Sequence, residues 1–389
     1  MSKIVAIICE YNPFHNGHKY QIEKIRKDIP DATILCIMSG NVTQRGEFVL
    51  FDKYSRAKAA VLEGANAVLE IPFPYSASNA ELFARAGVEI ATKVGVDYLC
   101  FGSESADLNF LEKTANIIDS KEFEVVFKKW LQNKSVSYLV SKQKALKELG
   151  IELPTDSNDI LAIEYLRSIK ALNSTIKPLI IKREGNGYKD QEVSNMMSAC
   201  AIRANLYENS VLTSVPKKAK EIFEVDISNG YYINAQKAEE FLFLNSLMAT
   251  PERIEAAFDV PQGCGYFISE TAKNSENAKA FFENLSSKTY TAARLRRGIM
   301  YLATGIKNVE KSVYFTNLLA ADKFGREMIK SKKKDLKIKI ITKHSDTKNL
   351  DETELELYVR SKKVEELFMS LLVNPQKPSE AYKKSVIII

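Results

Sequence analysis

His15 and His18 stand three residues apart around Gly17, in a chain that holds only three histidines. Two imidazoles at that spacing can point at one anion from adjacent turns of a helix, and the glycine between them lets the backbone approach closely. The residues before them say where the pair sits. Ile4 to Cys9 is an apolar, β-branched run that reads as a buried strand, and Asn12-Pro13 reads as its end. From Gly17 onward the apolar residues Ile22, Ile25 and Ile29 fall at helical spacing. The histidines therefore lie where a strand hands over to a helix N-terminus, whose open N–H groups and positive dipole end favour an anion such as phosphate. Metal binding is the weaker reading and no metal site is expected, because Cys9 and Glu10 lie on or at the end of the strand rather than at ligand spacing.

The elements that must hold this turn follow in a regular alternation. Ala32 to Met38 predicts a second buried strand, followed by the polar loop Ser39 to Gly46 at the carboxyl end where ligands bind in such sheets. Asp52 precedes a helix ending at Gly64, and Ala67 to Ile71 predicts a third strand closed by Pro72 and Pro74. Ser78 or Asn79 could cap a helix to Lys93, and Asp97 to Phe101 predicts a fourth strand leading into Gly102-Ser103-Glu104. The pattern implies an α/β fold with a doubly wound, Rossmann-like parallel sheet and right-handed crossovers. Asp107 to Gly150 reads as a helical, charged insertion containing the single tryptophan, Trp130. The cluster Thr155 to Asp159 signals a helix start, and Lys177 to Lys182 predicts a fifth strand. Arg183, beside a loop with Gly185 and Gly187, can reach a phosphate or be a solvated surface arginine. Ser198 stands in capping position ahead of Arg203.

Beyond Lys217 helical periodicity takes over, through Ala235 to Met248, Pro251 to Phe258, Asn274 to Asn284 and Ala292 to Thr304. With 389 residues and 45% hydrophobic content, two domains are expected: 1–212 holding the nucleotide fold, and 213–389 helical and basic, ending in a loose tail from Asn374 to Ile389. The net charge of +6 is concentrated in that second part. Arg294, Arg296 and Arg297 lie around Tyr290 with Lys288 nearby, and a lysine run that includes Lys332, Lys333 and Lys334 extends from Lys330 to Lys343. Cations interleaved with tyrosines suit a nucleic-acid backbone; a solvated charged face is the alternative. No apolar run approaches the length of a membrane span and the N-terminus goes straight into a strand without a signal-peptide pattern, so a soluble globular protein with no membrane partner is expected. The five scattered cysteines fit a reducing, cytoplasmic setting.

The opening stretch Lys3 to His18 resembles the H-x-G-H signature of the nucleotidyltransferase superfamily, whose fold is shared with class I aminoacyl-tRNA synthetases. Ser39 to Glu47, Asp52-Lys53 and Gly64 to Phe73 narrow the resemblance to the bacterial tRNA(Met) cytidine acetate ligase family. Ser198-Ala-Cys-Ala-Ile202-Arg203 resembles the turn that closes over the triphosphate in such enzymes, with Ala199 and Cys200 where hydroxyl residues often stand. The resemblance implies activation of acetate by ATP to acetyl-adenylate, then acetyl transfer to N4 of the wobble cytidine of elongator tRNA(Met). ATP is then a co-substrate, with Mg²⁺ expected on its triphosphate. By the same resemblance, Ile7, Ile8, Cys9, Glu10, Tyr11, Asn12, Pro13, Phe14, His15, Asn16, Gly17 and His18 line ATP, completed by Gly102, Asn158, Arg183 and Ser198. His15, His18 and Arg203 would carry catalysis. Gln44, Arg45, Glu47 and Lys53 would lie near acetate or the target base, and the arginine and lysine clusters would hold tRNA. The residues leave open a nucleotidyltransferase acting on a phosphorylated metabolite. A tRNA-binding factor with a vestigial nucleotide fold is the third reading, opposed by the intact His15, Gly17 and His18.

Overall fold

Strands apolar on both faces must be covered on both faces, and that requirement organises this molecule. The computed structural model describes residues 2–132, 136, 138–183, 197–204, 211–285 and 289–389. Its strands β1 (Ile4–Cys9), β2 (Thr33–Ser39), β3 (Ala67–Ile71), β4 (Tyr98–Ser103) and β5 (Lys177–Lys182) run parallel in the order β5-β4-β1-β2-β3. Along β1, Val5 and Ile7 enter one hydrophobic core while Ile4 and Ala6 enter the other, as the two-residue period of a strand dictates. The crossover helices are α1 (Asn16–Asp28), α2 (Lys53–Leu62) and α3 (Ala80–Val94). Asp52 caps α2 by accepting from the Tyr54 N–H, Asn79 caps α3, and Gly95 ends α3 with φ of 77°, the left-handed conformation glycine adopts freely.

The expected insertion is three helices, α4 (Leu108–Ile118), α5 (Lys121–Leu131) and α6 (Tyr138–Glu148). They share a core with α7 (Ser157–Ala171), which leads into β5. After the short α8 (Ala199–Ala204) come the helices of the second half: α9 (Lys217–Ser228), α10 (Ala235–Met248), α11 (Pro251–Glu255), α12 (Cys264–Lys273), α13 (Ala278–Asn284) and α14 (Ala292–Thr304).

The chain then does what periodicity did not indicate. β6 (Phe315–Ala321) rejoins the sheet antiparallel to β3, α15 (Lys323–Lys332) crosses back, and β7 (Lys339–Ile341) pairs with β6. After α16 (Glu352–Ser370), β8 (Ile387–Ile388) also pairs with β6. The second part is mainly helical as expected, with the three strands β6, β7 and β8 added to it, and the expected loose tail is corrected: it is tied down, with Ile389 N–H donating to the Ala321 carbonyl at 3.1 Å. One hydrophobic cluster runs from β1 and β2 through Phe223 of α9, Leu242 of α10 and Ile299 of α14 to Phe368 of α16, so the two halves share a core. Among the described residues no helix is long and apolar enough to cross a membrane.

Candidate active site

The chain leaves β1 toward β2 and β3 on one side, while β4 and β5 lie on the other. A crevice must open at the carboxyl ends of β1 and β4, the switch point where open α/β sheets bind ligands. A cavity of about 330 Å³ lies there. β1 supplies Ile8 and Cys9, and the turn after it supplies Glu10, Tyr11 and Asn12. Tyr11 has φ of 47°, a left-handed value that costs a non-glycine residue about 1–3 kcal/mol and persists only where packing imposes it. Its buried ring is held by Phe14 at 4.8 Å and His18 at 4.6 Å between centroids. This sharp reversal delivers the next residues into the mouth of the crevice.

His15 is the N-cap of α1. Its Nδ1 accepts the Gly17 N–H at 3.1 Å, and Nδ1 of His18 accepts the His15 N–H at 3.2 Å. A ring nitrogen that accepts carries no proton, so both neutral rings hold theirs on Nε2 as donors. The rings stack with centroids 3.7 Å apart. Burial, with Arg183 nearby, pulls His15 down to about 4; burial, His15 and Arg183 pull His18 well below the ordinary imidazole value. Both are neutral at pH 7 without an anion beside them. A side chain at Gly17 would put its Cβ 3.0 Å from the His15 ring, so glycine keeps the pair in place.

Cations face the histidines. Arg203 of α8 donates to the Asn12 carbonyl at 2.7 Å, and Arg183, exposed after β5, lies 3.9 Å from Glu104. Glu104 accepts from the Asn158 side chain at 2.5 Å and the Asp159 N–H at 3.2 Å. The buried Asp159 carboxylate in turn accepts from Ser103 Oγ and from the N–H groups of Glu104 and Ser105. The start of α7 thereby clamps the turn after β4, where Gly102 leaves room for the Arg183 stem. Arg56 performs the matching task on the other side. Fully buried on α2, it donates to the carbonyls of Glu10, Ser39, Gly40 and Phe51, joining the ends of β1 and β2. Sequence reasoning assigned no role to Asp159 or Arg56; the helix-start cluster around Asp159 was the available signal for the first, and nothing local marks the second. Glu10 accepts the Gln44 N–H at 2.7 Å, and burial raises its carboxyl pKa against the opposing effects of that bond and of Arg56, Arg203 and Arg45.

This geometry has relatives. The chain matches the HIGH nucleotidyl transferase family over residues 2–380. The tRNA(Met) cytidine acetate ligase of Thermosipho africanus is 37% identical over 365 residues, covering 88% of this chain and 85% of the relative. That of Acetivibrio thermocellus is 30% identical and covers 100% of both chains. This chain belongs to the tRNA(Met) cytidine acetate ligase family. The apo crystal structure of Thermotoga maritima TmcAL matches it at a TM-score of 0.92 and 25% identity, over 100% of each chain. The same protein bound with alpha-thio ATP matches at 0.91, over 99% of each chain.

For a ligase of this family, the expected site residues separate into three groups. Ile8, Cys9, Glu10, Tyr11, Asn12, His15, Gly17, His18, Gly102, Asn158, Arg183 and Arg203 line this cavity, joined by Gln44 and Arg45 but not by Glu47. Ile7, Pro13, Phe14, Asn16 and Ser198 do not: Ile7 and Phe14 belong to the core, Asn16 donates to the Thr213 carbonyl, and Ser198 caps α8 through the Ala201 N–H. Lys53 is corrected outright. It is fully buried, 2.7 Å from Glu70 and 2.5 Å from Glu365, and cannot meet acetate.

The expected tRNA contacts also divide. Arg297 is buried against Asp259 at 2.7 Å, and Arg296 is held by Glu239 at 3.0 Å over the Phe282 ring, so Arg297 is corrected to a structural ion pair. Arg294 remains partly exposed, beside Asp259 and Tyr290. Lys332 donates to the Gly95 carbonyl, and the Lys337 N–H to that of Lys93. Lys332, Lys333 and Lys334 thus lie at the amino ends of the strands, opposite the crevice, and form no single face with the arginines. Gly185, Gly187 and Lys288 lie outside the described residues.

Proposed function

We propose that this protein activates acetate with ATP and transfers the acetyl group to the N4 amine of the wobble cytidine in elongator tRNA(Met). The observation that carries the reading is the stacked pair of neutral Nε2–H imidazoles at the α1 N-terminus, with Arg203 and Arg183 across the same crevice. In the first step an acetate oxygen attacks the α-phosphorus, the bond to the bridging oxygen breaks, and pyrophosphate leaves with the electron pair. That reaction asks for orientation and for donors aimed at phosphoryl oxygens, which the histidines, the helix N-terminus and the arginines supply. Neutral imidazole donors suit the task, since their Nε2–H groups are preset by backbone bonds and need no proton transfer. ATP is taken as its magnesium complex, the ion carried by the triphosphate.

In the second step the N4 lone pair attacks the acetyl carbonyl, the carbon–oxygen bond to AMP breaks, and the amine gives up a proton. Acetyl-adenylate is reactive enough that the second step needs mainly a dry, oriented pocket. Exposed Arg45, Lys182 and Arg183 at the crevice mouth are placed for the tRNA backbone. The reading places the protein in the cytoplasm with its tRNA. Incubation with ATP, labelled acetate and total tRNA, followed by nucleoside analysis, should put the label in N4-acetylcytidine. Label that appears only in a small nucleotide conjugate would favour a metabolite nucleotidyltransferase instead.

A further inference from the structure

Acetyl-adenylate formed in the crevice would fill it, so the acceptor base must reach the acetyl carbon from a neighbouring space. A second cavity, of about 560 Å³, adjoins the first, and Arg203 lines both. Its volume lies within the roughly 300–1,000 Å³ usual for small-ligand sites. The loop after β2 forms one wall and the first turns of α10 the other. That loop is held from both sides: Glu10 accepts the Gln44 N–H, and Gly46, with φ of 78°, packs so close to α14 that a Cβ there would lie 2.8 Å from the Arg297 backbone. One loop therefore borders both cavities, with Gln44 and Arg45 on the first and Glu47 and Phe48 on the second.

The lining has the chemistry of a base site. Exposed Val373, with the edges of the nearly buried Phe48 and Leu50, gives it apolar surface against which a flat ring can lie. At its edge Arg296 is fixed by Glu239 at 3.0 Å and Glu47 at 3.8 Å. Carboxylates accept from an exocyclic amine, and a guanidinium donates to a ring carbonyl and ring nitrogen, which is the edge pattern of cytosine.

Resting on the function proposed above, we infer that this second cavity seats the acceptor cytidine, one unpaired nucleotide swung out of the RNA, with Arg203 as the boundary across which its amine meets the acetyl group. A base in a stacked or paired strand could not bring its amine there, so the site selects a nucleotide that can leave the stack.

Ala235 of α10 is exposed, lines the second cavity and does not line the first, which makes it the position at which to fill the space. Ala235→Phe is expected to keep acetate-dependent pyrophosphate exchange into ATP at the parent rate and to bind tRNA as the parent does, because affinity for RNA is carried by phosphate contacts. The turnover of tRNA acetylation at saturating tRNA should fall about 10²-fold or more. Ala235→Ser, which adds little volume, should lose far less acetylation than Ala235→Phe. An anticodon stem–loop carrying a fluorescent cytosine analogue at the acceptor position should change emission on binding the parent and not on binding Ala235→Phe. Parent-like acetylation by Ala235→Phe, or loss of exchange together with acetylation, would overturn the inference. Absence of acetate-dependent exchange in the parent itself would instead remove the proposed function, and this site with it.

Discussion

The crevice at the end of β1 and the basic segments of the second half both advertise chemistry in the sequence, and the structure treats them differently. Around the crevice, residues from positions 8 to 203 converge on one cavity. In the second half the cations disperse: Arg297 and Arg296 turn to Asp259 and Glu239, and Lys332 turns to the far end of the sheet. The histidines were fixed by backbone within three residues of them, through the cap of α1. The arginines were claimed by acids 38 and 57 positions away, which no local pattern announces. Motifs held by their own turn survive folding as read; charge runs do not.

Substitutions in the two regions should have different consequences. The largest effect expected is on stability. Arg297→Ala leaves the carboxylate of Asp259, 8% exposed, facing the gap. Breaking a buried pair typically costs about 3–5 kcal/mol, and the lower end applies here because Arg294 stays beside Asp259 at 3.2 Å. Denaturant unfolding should show the loss, with tRNA affinity unchanged under conditions where the variant remains folded. If Arg297→Ala melts like the parent and binds tRNA more weakly, the arginine faces RNA after all.

Catalytic effects come next. His15→Ala or His18→Ala should lower adenylation about 10²-fold or more, the usual result of deleting a donor to developing charge. Steady-state exchange rates and the melting temperature, taken together, would separate a lost donor from a lost fold.

A further effect on stability follows from pH. The folded value of His15, about 4, lies below its ordinary 6.5, so the folded protein binds fewer protons than the unfolded chain. The stability this histidine contributes is whole above pH 6.5 and is lost as pH falls through about 4. Unfolding curves of the apo protein should therefore decline over that window less steeply in His15→Gln than in the parent; equal slopes would mean the imidazole is not desolvated. The smallest effect is expected from Lys332, Lys333 and Lys334 changed together to Ala, which should leave the salt dependence of tRNA binding close to that of the parent. Arg45→Ala with Lys182→Ala should instead flatten it, by roughly one unit for each phosphate-binding cation removed.

The same contrast explains what was legible. β1 through β5 and α1 through α3 could be read because each is punctuated locally: Asp52 and Asn79 cap helices, Gly64 and Gly95 follow them, and each strand holds a short apolar stretch, broken only by Glu70 in β3 and flanked by Lys177 and Lys182 in β5. β6 was missed because its run Phe315–Ala321 follows a long helical stretch and its partner, β3, lies about 250 residues earlier, the separation of Thr316 from the Glu70 carbonyl being 246. β7, of three residues, and β8, of two, are too short for any periodicity to show. Within the site, His15, His18, Gly102, Asn158, Arg183 and Arg203 were named from sequence. Lys53 was misplaced because Glu70 and Glu365, which bury it, come from β3 and α16. Arg56 was invisible because its partners are all backbone carbonyls, which leave no trace in composition.

A crevice that forms a complete adenylation site from residues 8 to 203 needs no RNA to activate acetate. The most direct test is exchange of labelled pyrophosphate into ATP by the intact protein with acetate present and tRNA absent. Exchange should require acetate and should fall about 10²-fold or more in His15→Ala and His18→Ala. Exchange that proceeds without acetate, or that appears only when tRNA is added, would contradict it.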